Sequence, residues 1–201
     1  MRSLTSRLLL ALALTASLAG CAKKPVGASA DDMSLGNPAA KVTVIEYASA
    51  SCVHCGRWNN EVFPAFKAKY VDTGKVNYVY REFLTPPVEV AAASFLLARC
   101  AGKDKYFGVL DALFHSQNEL FTTGDQRGWL FRVGRGAGLT DEKIVACIQD
   151  EKALADLRAR VDKSLKEDKI TGTPTFVING KELSGEQSLA ALDAAIGPLL
   201  K

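Results

Sequence analysis

The sequence lacks a strong charge of either sign, an apolar run long enough to cross a membrane, internal repeats and more than two histidines. Lysine and arginine number 25 against 22 acidic residues, a formal net charge of +3, so an extended basic surface for nucleic acid is not expected. The 48% hydrophobic and 23% charged residues exclude wholesale disorder and a fibrous repeat. The length and composition are those of one globular domain, and its five cysteines are the unusual feature.

The first twenty residues have the pattern of a secretory signal peptide. Arg2 and Arg7 precede an apolar run from Leu8 to Leu14, and small residues follow up to Gly20. The run is too short for a stable transmembrane helix. Removal of residues 1–20 lowers the formal charge of the chain from +3 to +1.

The residues at the end of this signal resemble the lipobox of bacterial lipoproteins, Leu-Ala-Gly-Cys at 18–21. The resemblance implies cleavage before Cys21 and acylation of this cysteine, which gives a firm membrane anchor. Ala22 after it favours the outer membrane. The alternative is an ordinary signal peptide with an incidental cysteine. Residues 21–38 lack apolar periodicity, and we expect them to form a flexible tether.

Four cysteines remain when Cys21 is set aside. An exported protein is in an oxidising compartment, where an even number of cysteines suggests pairs. Cys52 and Cys55 form a CxxC motif, which leaves Cys100 and Cys147 for a structural disulfide. Two buried free thiols are the alternative for the second pair.

Strand and helix signals along the chain predict an α/β fold. An apolar β-branched segment at 41–47 leads to the CxxC, a helical pattern follows, and a second strand is expected at 76–83. Helical patterns then dominate from 86 to 169, with a glycine-rich turn at 134–138. Strands at 175–178 and 181–183 flank an Asn-Gly turn, and Ser184 with Gln187 suggests the capping box of a last helix. The order predicts a thioredoxin-like sheet with halves at about 39–85 and 170–201 and a helical insert at about 86–169.

The position of the CxxC, after a strand and at the start of a helix, favours redox chemistry. Unpaired backbone N–H groups and the helix dipole stabilise a thiolate on Cys52 and lower its pKa. Cys52 is then the nucleophile, and Cys55 resolves the mixed disulfide. Zinc is the competing interpretation, but the remaining cysteines and histidines offer no second compact pair of ligands, so no metal is expected. No cofactor is expected beyond the redox-active disulfide itself.

A Thr-Pro pair at 173–174 precedes the strand at 175. Together with the CxxC and the helical block between two thioredoxin halves, it resembles the DsbA family of exported thiol–disulfide oxidoreductases, from about Leu35 to Leu200. The resemblance implies a cis peptide bond before Pro174 that faces Cys52. It also implies that the Thr173 main chain pairs with an extended substrate strand, as in other strand additions.

The resemblance assigns further roles near the CxxC. Glu46, six residues before Cys52, corresponds to a buried acid that tunes the pair and helps to move the proton of Cys55. The alternative for Glu46 is a carboxylate that faces solvent. His54 corresponds to a histidine that stabilises the thiolate, and its alternative is an exposed neutral ring. Val53 stands where the family often has proline, within the substrate-binding surface. His115 has no expected role.

These features predict a monomeric dithiol oxidase that gives its disulfide to folding proteins on the periplasmic side of the envelope, anchored to the membrane by lipid. Reduced or unfolded envelope proteins are the expected substrates, and a membrane partner of the DsbB kind is expected to reoxidise the pair. Thr173 before the proline occurs in isomerase-like and reductase-like relatives, so the alternative is a reductase or isomerase kept reduced by a membrane donor. A non-catalytic lipoprotein of the same fold is the third possibility.

Overall fold

A computed structural model describes residues 27–201 of the protein. The predicted signal peptide and the predicted lipidation site at Cys21 lie outside the described residues. Five strands form one mixed sheet in the order β1-β3-β2-β4-β5. The strands are β1 (Met33–Gly36), β2 (Val42–Ala48), β3 (Val76–Glu82), β4 (Thr175–Ile178) and β5 (Lys181–Ser184).

The two central strands, β2 and β3, are parallel, as the predicted strand–helix–strand unit requires. The other strand pairs are antiparallel. Val44, Ile45 and Tyr47 on β2 are fully buried although they point to both faces of the sheet. The sheet is therefore covered on both sides, which explains why β2 is apolar almost throughout.

Helices cover the sheet and fill the interval between β3 and β4. Within residues 27–201 they are α1 (Val53–Glu61), α2 (Phe63–Phe66), α3 (Val88–Cys100), α4 (Lys103–His115), α5 (Gln117–Thr123), α6 (Gln126–Gly136), α7 (Asp141–Ile148), α8 (Glu151–Lys166) and α9 (Leu189–Ile196). A turn of π-helix at Lys67–Val71 continues α2. Helices α3 to α8 form the insert, so the predicted thioredoxin-like sheet with a helical insertion is confirmed. None of the helices in 27–201 is long and apolar enough to span a membrane.

The first strand lies within the segment predicted to be a flexible tether. Met33 and Leu35 alternate with Ser34 and Gly36, and the four residues pair with β3 as the edge strand of the sheet. The side chain of Met33 is buried. The prediction is wrong for these residues because four residues are too few for a clear period-two pattern, whereas the free edge of β3 supplies hydrogen-bond partners.

Two local predictions need correction near helix ends. Ser184 belongs to β5, and Ser188 instead caps α9 by accepting a hydrogen bond from the Ala191 backbone N–H. Gly134 and Gly136, predicted to lie in a turn, form the last part of α6. A Cβ on Gly134 would lie 2.6 Å from Ile144 Cδ1, so this glycine permits close packing of α6 on α7.

Candidate active site

The two cysteines of the CxxC lie at the start of α1 and differ in environment. Cys52 follows β2, occupies the N-cap of α1 and is partly exposed, whereas Cys55 is fully buried one turn later. Both thiols are free in the structure. A hydrogen bond from the Cys55 thiol and the backbone N–H groups of Cys55 and His54 lower the pKa of Cys52 to about 5, against the opposing effect of partial burial. Burial raises the pKa of Cys55 well above its ordinary value.

The Thr-Pro pair lies against the reactive sulfur, as the resemblance implies. The Thr173–Pro174 peptide bond is cis, and the Cys52 sulfur lies 3.5 Å from the Thr173 carbonyl oxygen. The hydroxyl of Thr173 is buried and has no hydrogen-bond partner. The sequence brings these residues together because β4 pairs antiparallel with β2, so the start of β4 lies beside the end of β2 that leads to Cys52.

Glu46 is 2% exposed in the middle of β2, which excludes the alternative of a solvent-facing carboxylate. Burial raises the pKa of Glu46 to about 8. A hydrogen bond from Tyr78 on β3 opposes this effect, and the negative charge of Cys52 adds to it. In turn, the carboxylate of Glu46 contributes to the raised pKa of Cys55. Glu46 is therefore coupled electrostatically to both cysteines.

The imidazole of His54 is 64% exposed and contacts the carboxylate of Glu186, in the loop before α9. Arg57 Nη1 lies 3.2 Å from the same carboxylate oxygen. The contribution of His54 to the low pKa of Cys52 comes from its backbone N–H group. The stabilising role of the imidazole remains a prediction, and the exposure matches the alternative. His115 lies exposed on α4 with its Nδ1 2.9 Å from Asp111 O.

Val53 is 51% exposed beside the reactive cysteine. It borders a groove of about 540 Å³ between α1 and α5, whose wall includes Arg57, Asn60 and Phe121. Phe121 is also exposed, so the groove offers apolar surface next to Cys52. The substrate-binding role of Val53 remains a prediction that this position permits.

Sequence reasoning missed Gln117, the first residue of α5. Its buried side-chain amide donates hydrogen bonds to the carbonyl oxygens of Ala50, at 2.8 Å, and Cys52, at 3.1 Å. A Cβ on Gly56 would lie 2.3 Å from Gln117 Oε1, so a glycine directly after the CxxC gives the amide its space. The glycine is a signal that something packs there, but the sequence does not show which residue does so.

Cys100 and Cys147 lie at the ends of α3 and α7 and are joined by a disulfide in the structure, with a Cα–Cα distance of 5.9 Å. This is the pairing that the cysteine count predicts, and it differs from the alternative of two free thiols. Among residues 27–201, no group of three or more His, Cys, Asp and Glu side chains is arranged to hold a metal ion.

Comparison with known proteins agrees with this arrangement. A family model described as thioredoxin matches residues 28–197. A protein of Rickettsia bellii, provisionally named a protein-disulfide oxidoreductase, is 35% identical over 167 residues, which cover 83% of this chain and 63% of the relative. The chain thus spans about three fifths of the length of such curated relatives.

Solved structures show the same fold. The crystal structure of alpha-DsbA1 from Wolbachia pipientis matches with a TM-score of 0.79 and 28% identity, over 86% of this chain and 92% of that one. A protein-disulfide isomerase from Novosphingobium aromaticivorans matches with a TM-score of 0.75 over 85% and 97% of the two chains, and at 23% identity this likeness concerns the fold alone. The chain therefore belongs to the thioredoxin family and, within it, is similar to the DsbA thiol–disulfide oxidoreductases.

Proposed function

We propose that the protein exchanges the Cys52–Cys55 disulfide with substrate proteins and acts as a dithiol oxidase during their folding. The observation that supports this function is the difference between the two thiols. The pKa of Cys52 is lowered to about 5, whereas the pKa of the buried Cys55 is raised. A stabilised thiolate on Cys52 favours the reduced enzyme, and a pair whose reduced form is favoured is a strong oxidant.

The reaction begins with the disulfide form of the pair. A substrate thiolate attacks the Cys52 sulfur, the Cys52–Cys55 bond breaks, and Cys55 leaves and takes up a proton. A second substrate thiolate then attacks the substrate sulfur of the mixed disulfide and expels Cys52 as a thiolate. The substrate loses two electrons and gains a disulfide, and the enzyme gains the two electrons.

Glu46 is suited to supply the proton that Cys55 needs in the first step. Burial raises the pKa of its carboxyl group, which favours the protonated form that can give up a proton. In the reverse reaction the Glu46 carboxylate accepts the proton of Cys55. The Thr173 main chain beside the sulfur and the exposed Val53 would hold the substrate chain near Cys52.

Reoxidation of the pair requires an electron acceptor, for which we propose a membrane partner of the DsbB kind. The lipobox-like sequence at Cys21 supports a lipid anchor on the periplasmic side of the envelope. Reduced envelope proteins would be the substrates, and the protein would act on them as a monomer.

A reductase or isomerase is the second candidate. Thr173 before Pro174 favours it, since the resemblance associates threonine at this position with such relatives. In that case a membrane electron donor keeps Cys52 and Cys55 reduced, and the same chemistry runs toward cleavage or rearrangement of substrate disulfides.

The reduction potential of the Cys52–Cys55 pair distinguishes the two directions. We expect equilibration of the purified protein with glutathione buffers to give a value more oxidising than the roughly −180 mV of protein disulfide isomerase. A value near the roughly −270 mV of thioredoxin would assign the reductase direction instead. Insulin reduction no faster than that of a Cys52→Ala control would exclude both enzymes and leave a non-catalytic protein of this fold.

A further inference from the structure

Tyr78 holds the buried carboxyl group of Glu46. The two residues lie on the adjacent parallel strands β3 and β2, and the Tyr78 hydroxyl donates a hydrogen bond to Glu46 Oε2. The tyrosine ring has little freedom to move, since its centroid lies 5.1 Å from that of Phe63 and 6.0 Å from that of Phe107. A fixed ring directs its hydroxyl to a fixed point, which here is the carboxyl group.

The other titratable groups near this carboxyl come from three elements. Cys52 and Cys55 face it from the start of α1, and Tyr80 lies on β3 opposite Glu46 in the strand register. Tyr106 on α4 faces the two tyrosines of β3, and its hydroxyl donates to Glu82. The Tyr80 hydroxyl is buried and bonds to nothing in the described structure. Of these three tyrosines, Tyr78 is the one whose hydroxyl donates a hydrogen bond to Glu46 in the described structure.

We propose that Tyr78 is a positioning residue that keeps the Glu46 carboxyl group in place for proton exchange with Cys55 and sets the pH range of that exchange. This inference rests on the proposed function, in which Glu46 moves the proton of Cys55. Tyr78 acts through Glu46, because a donated hydrogen bond stabilises the carboxylate relative to the carboxylic acid.

The step concerned is the resolution of a mixed disulfide on Cys52. The S–H bond of Cys55 breaks and its proton moves to the Glu46 carboxylate. The Cys55 thiolate then attacks the Cys52 sulfur, the bond from Cys52 to the bound thiol breaks, and that thiol leaves as a thiolate. The rate of this step rises with pH as Glu46 ionises, above the ordinary range of a carboxyl group because burial raises its pKa.

The step can be followed by stopped-flow absorbance with 5,5′-dithiobis(2-nitrobenzoate) and the full-length protein, with the Cys52–Cys55 pair reduced. The attack of Cys52 releases one coloured thiolate, and resolution by Cys55 releases the second. We expect Tyr78→Phe to move the midpoint of the second phase upward by about one pH unit and to slow this phase about tenfold at pH 7, since a hydrogen bond to a charged group is lost.

Tyr80→Phe is the matched control, because it removes a buried hydroxyl without a partner from the same strand. We expect it to leave the midpoint unchanged. Glu46→Gln should abolish the pH dependence, and Tyr78→Phe added to Glu46→Gln should have no further effect. Equal midpoint shifts in Tyr78→Phe and Tyr80→Phe, or no shift in either, would overturn the positioning role of Tyr78. Neither result would contradict the proposed proton transfer by Glu46. An unchanged profile in Glu46→Gln would overturn the proposed role of Glu46 itself.

Discussion

At the scale of single residues, the site consists of ordinary groups whose proton affinities are moved apart by their surroundings. Cys52 meets backbone N–H groups at the start of a helix, whereas Cys55 and Glu46 are enclosed by the sheet and the helices above it. The result is one thiol that is ionised at neutral pH beside a thiol and a carboxyl group that keep their protons. Two measurements report these pKa shifts directly.

The first is the pH dependence of the reduction potential. Above the pKa of Cys52, at about 5, reduction of the pair by two electrons takes up one proton, which goes to Cys55. We therefore expect the potential to fall by roughly 30 mV per pH unit between pH 6 and 8, and by about twice that below pH 5. A slope of about 60 mV per unit through pH 7 would contradict a low pKa for Cys52.

The second is the pH dependence of stability in the disulfide form, in which Cys52 and Cys55 do not titrate. Burial, which does not depend on the charge of Cys52, raises the pKa of Glu46 above its ordinary 4.5, so the folded protein binds the proton more tightly than the unfolded chain. The stabilisation is fully present below pH 4.5 and is lost, at about 1.4 kcal/mol per pH unit, as the pH rises toward the pKa that Glu46 has in the folded protein. Urea unfolding of wild type and Glu46→Gln at several pH values tests this, and parallel profiles would contradict it.

The residues that can be predicted from sequence are those in a motif. Cys52 and Cys55 stand out by their type and spacing, whereas the roles of Pro174 and Glu46 come from the resemblance to the DsbA family. Gln117 and Tyr78 cannot be found in this way, since their roles depend on which side chains the fold brings near the cysteines. His54 lies in the motif and is easily found in the sequence, but its contact with Glu186 is visible only in the structure.

At the scale of elements, the contact between α5 and the start of α1 joins the helical insert to the reactive loop. Gln117 bonds to the loop through two carbonyl oxygens, and Gly56 leaves room for it. Although the insert lies far from the CxxC in sequence, one of its side chains fixes the backbone on which Cys52 stands. A change at this contact should therefore affect both the helical insert and the reactive loop.

Gly56→Ala tests this coupling. The new methyl group would lie 2.3 Å from Gln117 Oε1, so we expect a loss of stability of about 1–3 kcal/mol in urea unfolding. In a Gln117→Ala background the same change should cost much less, because the clash is gone. Gly108→Ala on α4, where nothing lies within 4 Å of the added Cβ, is the control and should be neutral or slightly stabilising. Additive effects of Gly56→Ala and Gln117→Ala would contradict the contact.

The strands and helix caps also show which sequence signals are sufficient to predict an element. β2, β3 and the Asn-Gly hairpin between β4 and β5 could be predicted because each combines a strong apolar or β-branched run with a clear boundary. β1 and the cap of α9 could not. The four residues of β1 form a strand through their pairing with β3. Ser184 and Ser188 are both suitable N-cap residues in the sequence, and only the structure shows that Ser184 belongs to β5 and that Ser188 caps α9.

At the scale of the whole molecule, charges hold the insert and the N-terminal segment against the sheet. Glu82, at the end of β3, is buried and bonds to Arg99 of α3 and Arg160 of α8. Next to it, Arg81 contacts Asp32, before β1, and Asp168, after α8. Breaking such buried pairs is costly because it leaves a charge without a partner, so this cluster fixes three distant parts of the chain to one strand.

The disulfide between Cys100 and Cys147 adds a covalent link within the insert. It closes a loop of 47 residues, for which chain entropy gives about 4 kcal/mol of stabilisation. We expect the double variant Cys100→Ala, Cys147→Ala to unfold at lower urea concentration and to retain exchange by Cys52. Peptide mapping of the non-reduced wild type should recover the two cysteines in one linked fragment, and recovery of free Cys100 would contradict the pairing.

The register of β1 also determines where the N-terminal end of the described chain lies relative to the reactive loop. Met33 begins β1 opposite Tyr80, at the end of β3, and Arg81 Nη2 donates to the carbonyl oxygen of Gly27. Ala48, which leads to Cys52, pairs with Glu82 at that same end of the sheet. The start of β1 and the loop that leads to Cys52 therefore lie at the same end of the sheet.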